Sequence, residues 1–262
     1  MRRFDAEYLT RTREGMWDGP REALSALALS DRERVLDVGC GTGELTQVLR
    51  EESPGEVVGC DADPALLAHA DPPVVAGDAY RLPFPDDTFD LVVCQALLIN
   101  LQEPTAALAE FARVSRDAVA AIEPDNAAVD VESTVPTEVT VEAAARRHYL
   151  DGVGTNVELG ADARDRFESA GIEVVATARH DHDRTIEPPY DGDALEAARR
   201  KASGEGLSED RATMLAGGLD QEAYDRLRAA WREMGRTVVE QMQAEAYERR
   251  ETVPFYVTVG QI

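Results

Sequence analysis

The feature that most constrains the fold is a glycine-rich stretch at residues 35–45, VLDVGCGTGEL, which begins in an apolar run. Gly39, Gly41 and Gly43 lie within five positions, a spacing that indicates a tight turn between a strand and a helix. Such a turn brings the backbone close to a ligand at the carboxyl edge of a parallel sheet. The sequence therefore predicts an α/β fold with a ligand site at this turn.

Alternating strand and helix patterns continue along the chain and predict a doubly wound sheet. The predicted strands are residues 34–38, 57–60, 74–75, 89–94, 118–122, 172–177 and 252–259. The predicted helices are residues 44–51, a segment that begins at Pro64, and residues 104–114, 137–149 and 162–170. Residues 191–250 are predicted to be helical, and their last helix carries an apolar stripe interpreted as core: Tyr224, Leu227, Trp231, Met234, Val238 and Met242.

Composition and charge indicate the cellular environment of the protein. Its 262 residues are 44% hydrophobic, which is ample for a buried core, and no apolar run is long enough to span a membrane. The formal charge of -24, with Lys201 as the single lysine, indicates a salt-rich cytoplasm and disfavours nucleic acid or an anionic membrane as partner. Three cysteines of irregular spacing are expected to be reduced. We expect a cytoplasmic protein from a halophile.

The residues around the glycines discriminate between ligands. The dinucleotide fingerprint G-x-G-x-x-G fails because Glu44 stands where the third glycine belongs, and no P-loop lysine follows. Asp37 and Glu44 place carboxylates on both sides of the turn and would oppose a pyrophosphate. A cationic ligand without phosphate is expected here, and S-adenosylmethionine, with its sulfonium and ammonium groups, fits.

At residues 37–43, DVGCGTG, the sequence resembles the class I S-adenosylmethionine-dependent methyltransferases, whose first motif is D-x-G-x-G-x-G. VVGCDADP at 57–64 and GDAYRLPFPDDTFDLVVC at 77–94 resemble later motifs of that family, in the same order. The resemblance implies that Asp61 binds the ribose and that Asp78 and Ala79 meet the adenine. In full, the residues expected to bind the cofactor are Asp37, Gly39, Cys40, Gly41, Gly43, Asp61, Ala62, Asp78, Ala79 and Cys94.

The family resemblance also implies a fold and a domain organisation. We expect a Rossmann-like sheet of seven strands, mostly parallel with an antiparallel last strand. Residues 1–30 are expected to form an N-terminal helical cap, and residues 31–124 the cofactor-binding core. Residues 125–262 are expected to complete the same domain with helical lid insertions. Tyr8, Arg11, Arg13 and Trp17 in the first segment fit either a cap over the cofactor or a helix packed on the sheet edge.

The expected methyl acceptor is a small apolar or aromatic metabolite. The [DNS]-P-P-[YFW] loop of amino-methylating nucleic-acid enzymes is replaced here by residues 94–97, CQAL, and Val93 removes the Pro-Cys nucleophile of cytosine-5 enzymes. Cys94 is thus interpreted as a buried small residue. The apolar residues 97–101 resemble small-molecule methyltransferases, in which a histidine often stands at the position of Asn100.

Any catalytic base must come from the few titratable residues after the core. His148 and Tyr149, at the end of a predicted helix, are the preferred candidates, since that region often lines the acceptor site in related enzymes. His180, His182 and Tyr190 are further candidates. The two histidines of His180-Asp181-His182 are interpreted as an exposed strand end, and no metal site is expected.

Three alternatives to a methyltransferase stay open on the sequence. The first is a nicotinamide-dependent oxidoreductase, the second a non-catalytic module that binds the same cofactor, and the third an enzyme that uses the cofactor for other chemistry. The sequence leaves the acceptor and the oligomeric state open.

Overall fold

The computed structural model of the protein describes residues 6–13, 15–19 and 21–262, without the side chains of residues 7, 8, 10 and 11. Tyr8 and Arg11 of the expected cap therefore lie outside the described side chains. The strands are, in chain order, β1 (Arg34–Val38), β2 (Glu56–Asp61), β3 (Val74–Ala76), β4 (Phe89–Gln95), β5 (Ser115–Pro124), β6 (Asp130–Ser133), β7 (Glu173–Ile186) and β8 (Arg249–Gln261).

These strands form one mixed sheet in the order β3-β2-β1-β4-β5-β8-β6, with β7 paired to β8. The first five strands run parallel, and β8 is antiparallel to β5 and β6. This arrangement confirms the expected doubly wound α/β fold with an antiparallel last strand. The described sheet has eight strands rather than seven, because the short strand β6 adds to the predicted set.

The parallel strands are almost continuous apolar runs, which is what burial on both faces requires. All seven residues of β4 are buried, and β5 is buried along most of its length. The helices are α1 (Ala6–Arg13), α2 (Glu44–Glu52), α3 (Pro64–Leu67), α4 (Pro104–Val114), α5 (Pro136–Gly152), α6 (Ala163–Ser169), α7 (Gly192–Ser203), α8 (Glu205–Glu209), α9 (Arg211–Ala216) and α10 (Gln221–Gln243).

The chain divides into two compact units. The core unit comprises the described residues up to Asp125 together with Glu158–His180 and Pro254–Ile262. The helical unit comprises Asn126–Val157 and Asp181–Val253. Strands β7 and β8 each contribute residues to both units.

The helical unit has its own apolar core, which confirms most of the stripe predicted on α10. Tyr224, Met234, Val238 and Met242 are buried, whereas Trp231 is half-buried. The amphipathic period of this 23-residue helix is therefore explained by packing within the unit.

Three boundaries differ from the sequence prediction. Helix α10 ends at Gln243 and strand β8 begins at Arg249, so the helical prediction for residues 244–250 is wrong. Strand β7 continues to Ile186, where the sequence predicted an end at Thr177. The later residues of β7 alternate between exposed and less exposed positions. Most of them are charged or polar, so the sequence lacks the alternation of apolar and polar residues that predicts a strand. Strand β5 begins at Ser115, where the sequence predicted a start at Ala118.

Among the residues that the structure describes, no helix is both long and apolar enough to cross a membrane.

Candidate functional site

The glycine turn follows β1 at the carboxyl edge of the sheet, where β1 lies between β2 and β4. Gly39, Gly41 and Gly43 have φ angles of 73°, 57° and 95°, a region that favours glycine. The turn is fixed to the neighbouring strand because the carbonyl of Cys60 accepts the N–H groups of Gly39 and Cys40 at 2.7 and 3.1 Å. The result is a rigid backbone surface at the point where open α/β sheets bind their ligands.

Asp61, at the end of β2, is oriented by the turn. One carboxylate oxygen accepts the Gly41 N–H at 2.9 Å, and the other accepts the Asp63 N–H at 2.8 Å. Each oxygen still has a lone pair for a ligand hydroxyl. The Asp61 side chain is half-buried. Because both of its oxygens accept backbone N–H groups, the carboxylate expected to bind the ribose has a fixed orientation without a ligand.

Asp37 lies beneath the turn and is 1% exposed. Burial raises the pKa of Asp37 to about 6, although the Thr46 hydroxyl, which donates to it at 2.6 Å, and the charge of Arg13 act in the opposite direction. Asp61 and Glu44 raise this pKa further because they are also negative. The electrostatic environment of the turn is thus acidic, and a cation there would stabilise the ionised form of Asp37.

Asp78 and Ala79 lie after β3, with Asp78 exposed and Ala79 buried. One carboxylate oxygen of Asp78 accepts the Tyr80 N–H at 3.0 Å. The Gly77 N–H donates to the carbonyl of Asp61 at 3.0 Å, which fixes this segment next to the end of β2. The structure therefore brings the second and third sequence motifs to one edge.

A buried carboxylate that sequence reasoning missed organises the loop after β4. Glu123, at the end of β5, is 0% exposed and accepts the backbone N–H groups of Leu97, Leu98 and Ile99 at 3.1, 2.8 and 3.2 Å. Burial raises its pKa to about 7, against these hydrogen bonds, which lower it. The sequence signal for it was a charged residue directly after the apolar run of residues 118–122.

The same loop contacts the glycine turn. A Cβ atom on Gly39 would stand 2.9 Å from Cδ1 of Leu97, so the loop side chain covers this glycine. Asn100 is 8% exposed, and its amide donates to the carbonyl of Ala96 at 2.8 Å. Ala96 itself has a φ of 49°, an uncommon conformation for a residue with a side chain. Glu123 thus positions a strained loop against the candidate cofactor edge.

The described part of the N-terminal segment also reaches the turn. Leu9 of α1 is buried, and its Cδ1 would lie 2.9 Å from a Cβ on Gly41. Arg13 donates to the carbonyl of Gln95 at 3.3 Å. The indole N–H of Trp17 donates to the side chain of Gln95 at 3.1 Å, so Trp17 is anchored to the end of β4.

All three cysteines are reduced and buried. Burial raises the pKa of the Cys60 thiol to about 12, and that of Cys94 rises well above its ordinary value. Cys94 is 0% exposed, with its sulfur 3.9 Å from a carboxylate oxygen of Glu123. Cys40 is also buried and packs where Gly59 leaves room for it. These thiols are poor nucleophiles in the folded protein.

The candidate bases are distributed over both units. His148 and Tyr149 are half-buried in α5, which continues to Gly152 rather than ending at them. Tyr149 lines a pocket within the helical unit. His180 and His182 lie inside β7, so their interpretation as a strand end is wrong, and His182 is 3% exposed.

His180 belongs to the core unit, where its ring stacks on Trp17 with centroids 4.5 Å apart. Its Nε2 lies 2.9 Å from the carbonyl of Met16. Tyr190 donates to the carbonyl of Tyr247 at 2.9 Å in the helical unit. Within the described residues, no group of three or more His, Cys, Asp or Glu side chains is placed to hold a metal ion.

The strand order and the glycine turn define a Rossmann-like α/β protein with its candidate site at the edge of β1. Residues 36–121 match the family model described as "Methyltransferase domain". The chain is 36% identical to the demethylmenaquinone methyltransferase of Deinococcus radiodurans over 154 residues, which are 54% of this chain and 61% of that protein. It is 37% identical to the Beutenbergia cavernae protein of the same name over 122 residues, 44% of this chain and 50% of that one.

The chain thus spans about half of the length of these curated relatives. A solved structure, a candidate type II methyltransferase from Anaeromyxobacter dehalogenans, matches with a TM-score of 0.56. The match covers 92% of this chain and 96% of the Anaeromyxobacter chain at 19% identity, which shows that the two share a fold. Residues 36–121, which lie in the core unit, are thus similar to a methyltransferase domain.

Proposed function

We propose that the protein is an S-adenosylmethionine-dependent methyltransferase that acts on a small apolar or aromatic metabolite. The observation that carries the proposal is the acidic glycine turn. Three left-handed glycines expose backbone next to Asp37, Glu44 and Asp61, where a sulfonium and an ammonium group are favoured and a pyrophosphate is not.

The residues at this edge fit the cofactor chemically. Gly39, Gly41 and Gly43 would face it with backbone, Asp61 would accept its ribose hydroxyls, and Asp78 would accept its adenine amine. Asp37 and the backbone around Cys40 and Ala62 would complete the contacts. Ala79 would contribute apolar surface beneath it, and Cys94, which is 0% exposed, would support that surface from below.

When bound, the cofactor supplies a methyl group on a sulfonium, a good leaving group for in-line displacement. The chain then has to align the acceptor and exclude water, which accounts for most of such catalysis. The loop ordered by Glu123 supplies the apolar side chains of Leu97, Leu98 and Ile99 for this purpose. His148 and Tyr149 are our candidates for a base, where the acceptor needs one.

The acceptor class is supported by the loop after β4 and by the relatives. The loop carries apolar residues in place of the aromatic motif that holds a flipped base. Several relatives are named demethylmenaquinone methyltransferases, whose name indicates a ring compound as acceptor. Both observations support a small aromatic acceptor for this chain.

Calorimetric titration tests the cofactor assignment directly. We expect the protein in molar KCl to bind S-adenosylmethionine and S-adenosylhomocysteine but not NAD. Incubation with S-adenosylmethionine and small aromatic acceptors is expected to give products heavier by one methylene unit in mass spectra. Binding of NAD alone would overturn the proposal, and cofactor binding without any methylated product would indicate a binding module.

An Asp61→Ala variant is expected to bind S-adenosylmethionine more weakly by about 1–3 kcal/mol, because a charge-assisted acceptor for the ribose is lost. Asp63→Ala is the matched control. It removes a carboxylate two residues away that caps α3 by accepting the Ala65 N–H at 2.9 Å. Equal affinities for the two variants in calorimetry would show that Asp61 does not bind the cofactor.

We infer from the charge of -24 a cytoplasmic protein from a salt-rich cell. The midpoint of thermal unfolding is expected to rise by roughly 5–15 °C between about 0.1 M and about 2 M KCl, because salt screens the self-repulsion of the acidic surface. Circular dichroism melts measure this shift, with sucrose as an uncharged control. A midpoint that responds equally to sucrose and KCl would contradict the inference.

A further inference from the structure

We propose that Arg13 binds the carboxylate of S-adenosylmethionine and so selects ligands that carry an amino-acid end. This inference rests on the proposed function, because it assigns a further residue to the same cofactor site. The feature that carries it is a guanidinium that lies against the glycine turn and makes a single hydrogen bond among the described residues. Arg13 and the turn both belong to the core unit.

The guanidinium of Arg13 lies where the neighbouring strands β1 and β4 end. Its Nη1 would stand 3.6 Å from a Cβ atom on Gly41, and its Nη2 donates to the carbonyl of Gln95 at 3.3 Å. The sheet continues from β1 to β2 and β3 on one side and from β4 to β5 on the other, so the strand order reverses here. Open α/β sheets bind their ligands in the crevice at that point.

Arg13 has hydrogen-bond donors available for a ligand. A guanidinium carries several N–H donors, and within the described residues the carbonyl of Gln95 is the only group that accepts one from Arg13. No described carboxylate forms an ion pair with it. Arg21, in contrast, pairs with Glu51 at 2.9 Å and with Glu52 at 2.8 Å. A half-buried guanidinium without an anionic partner in the described structure favours an anion supplied by a ligand.

The amino-acid end of the cofactor needs a cation as well as an acidic surface. It carries an ammonium group and a carboxylate, and the negative charges of Asp37 and Asp61 favour the first but repel the second. Burial raises the pKa of Asp37 to about 6 and that of Glu123 to about 7, and the positive charge of Arg13 opposes both increases. Arg13 is therefore a cation whose charge acts at this acidic edge, where a ligand carboxylate requires one.

The shape of the guanidinium also fits a carboxylate. Its planar fork of N–H donors matches the two oxygens of a carboxylate and can bind both at once. S-adenosylmethionine and S-adenosylhomocysteine carry that group, whereas methylthioadenosine has the adenosine and the sulfur but no amino-acid end. We therefore expect Arg13 to contribute to the binding of the first two ligands and not to that of the third.

Calorimetric titration of the full chain in molar KCl tests the inference with an Arg13→Met variant. This variant is expected to bind S-adenosylhomocysteine about tenfold more weakly than wild type, because a charge-assisted contact is lost. Its affinity for methylthioadenosine is expected to change less than about twofold, since that ligand has no carboxylate to lose. A loss of the same size for both ligands would assign Arg13 a structural role and overturn the inference.

Two further variants separate charge from packing. Arg13→Lys keeps the charge without the planar fork, and its affinity for S-adenosylhomocysteine is expected to lie between those of wild type and Arg13→Met. A lysine variant that bound this ligand as weakly as Arg13→Met would contradict a role for the charge. Arg21→Met is the matched control, because the partners of Arg21 lie at the C-terminal end of α2 and the glycine turn precedes that helix. It is expected to bind every ligand as wild type does.

The wild-type titrations distinguish a failure of this inference from a failure of the proposed function. If wild type bound neither S-adenosylmethionine nor S-adenosylhomocysteine, the proposed methyltransferase activity would be refuted, and the role of Arg13 with it. If wild type bound both and Arg13→Met bound them equally well, only the role of Arg13 would be refuted. Tighter binding of S-adenosylmethionine by Arg13→Met would also refute it, because the guanidinium would then compete with the ammonium group for the acidic turn.

Discussion

An Arg249→Met variant is expected to lose about 3–5 kcal/mol of unfolding free energy, because it leaves buried carboxylates without their shared cation. The Arg249 side chain is 9% exposed and pairs with Glu142 and Glu251. It also lies 3.8 Å from a carboxylate oxygen of Glu138, which is itself 0% exposed. Lys201 and Arg184 would remain as the only two cations of a cluster that holds three carboxylates in the described structure.

The pH dependence of this loss distinguishes charge from packing. Burial acts to raise the pKa of Glu251, but the charges of Arg184 and Arg249 outweigh it and lower the pKa to about 2. The stabilisation is therefore present above the ordinary value of 4.5 and is lost as the pH falls toward 2. The difference in unfolding free energy between wild type and Arg249→Met is therefore expected to shrink as the pH falls from 4.5 toward 2.

Urea unfolding in molar KCl, followed by circular dichroism at several pH values, measures both effects. Arg199→Met is the control, because Arg199 lies on the surface of the same unit and pairs with Glu196 and Glu205. That variant is expected to change little. If the difference in unfolding free energy between wild type and Arg249→Met stayed constant as the pH fell, the lost stability would come from packing rather than from charge.

A Glu123→Ala variant is expected to destabilise the core unit by about 2–4 kcal/mol. Three backbone N–H groups of the loop after β4 would lose their acceptor, and an unpaired buried donor costs about 1–3 kcal/mol before water or relaxation compensates. Because Leu97 of this loop covers Gly39, S-adenosylmethionine binding is expected to weaken as well. Chemical unfolding and calorimetry report the two effects.

Glu123→Gln is the conservative comparison, since it keeps one acceptor oxygen and is expected to lose about half as much stability. Burial raises the pKa of Glu123 to about 7, so the folded protein holds a proton that the unfolded chain releases near 4.5. The stability that this group contributes therefore falls as the pH rises from 4.5 to 7. The difference in unfolding free energy between wild type and Glu123→Gln is therefore expected to shrink over this pH interval. A difference that grew over the same interval would contradict the raised pKa of Glu123.

The sequence predicted the parallel core because the relevant signals are local. The glycines at 39, 41 and 43, the apolar run of β4 and the proline that opens α4 each identify an element without knowledge of its neighbours. The order of Asp37, Asp61 and Asp78 placed the candidate site at one edge for the same reason. The structure brings these three segments together.

Other features depend on contacts distant in sequence and could not be predicted. Glu123 is 24 to 26 residues from the N–H groups that it accepts, so only the fold shows its role in ordering the loop. The second half of β7 is rich in charged residues and lacks an apolar alternation. Its pairing with β8 stabilises it as a strand, whereas local propensity alone would not.

The unequal distribution of reactive side chains gives the chain two built-in chemical labels. Its three thiols all lie buried in the core unit, and its single lysine, Lys201, lies largely buried in the helical unit. Thiol reagents can therefore modify the core unit only when it opens, and amine reagents at Lys201 report opening of the helical unit. Mass spectrometry of doubly labelled protein would thus time the opening of each unit separately, without an introduced probe.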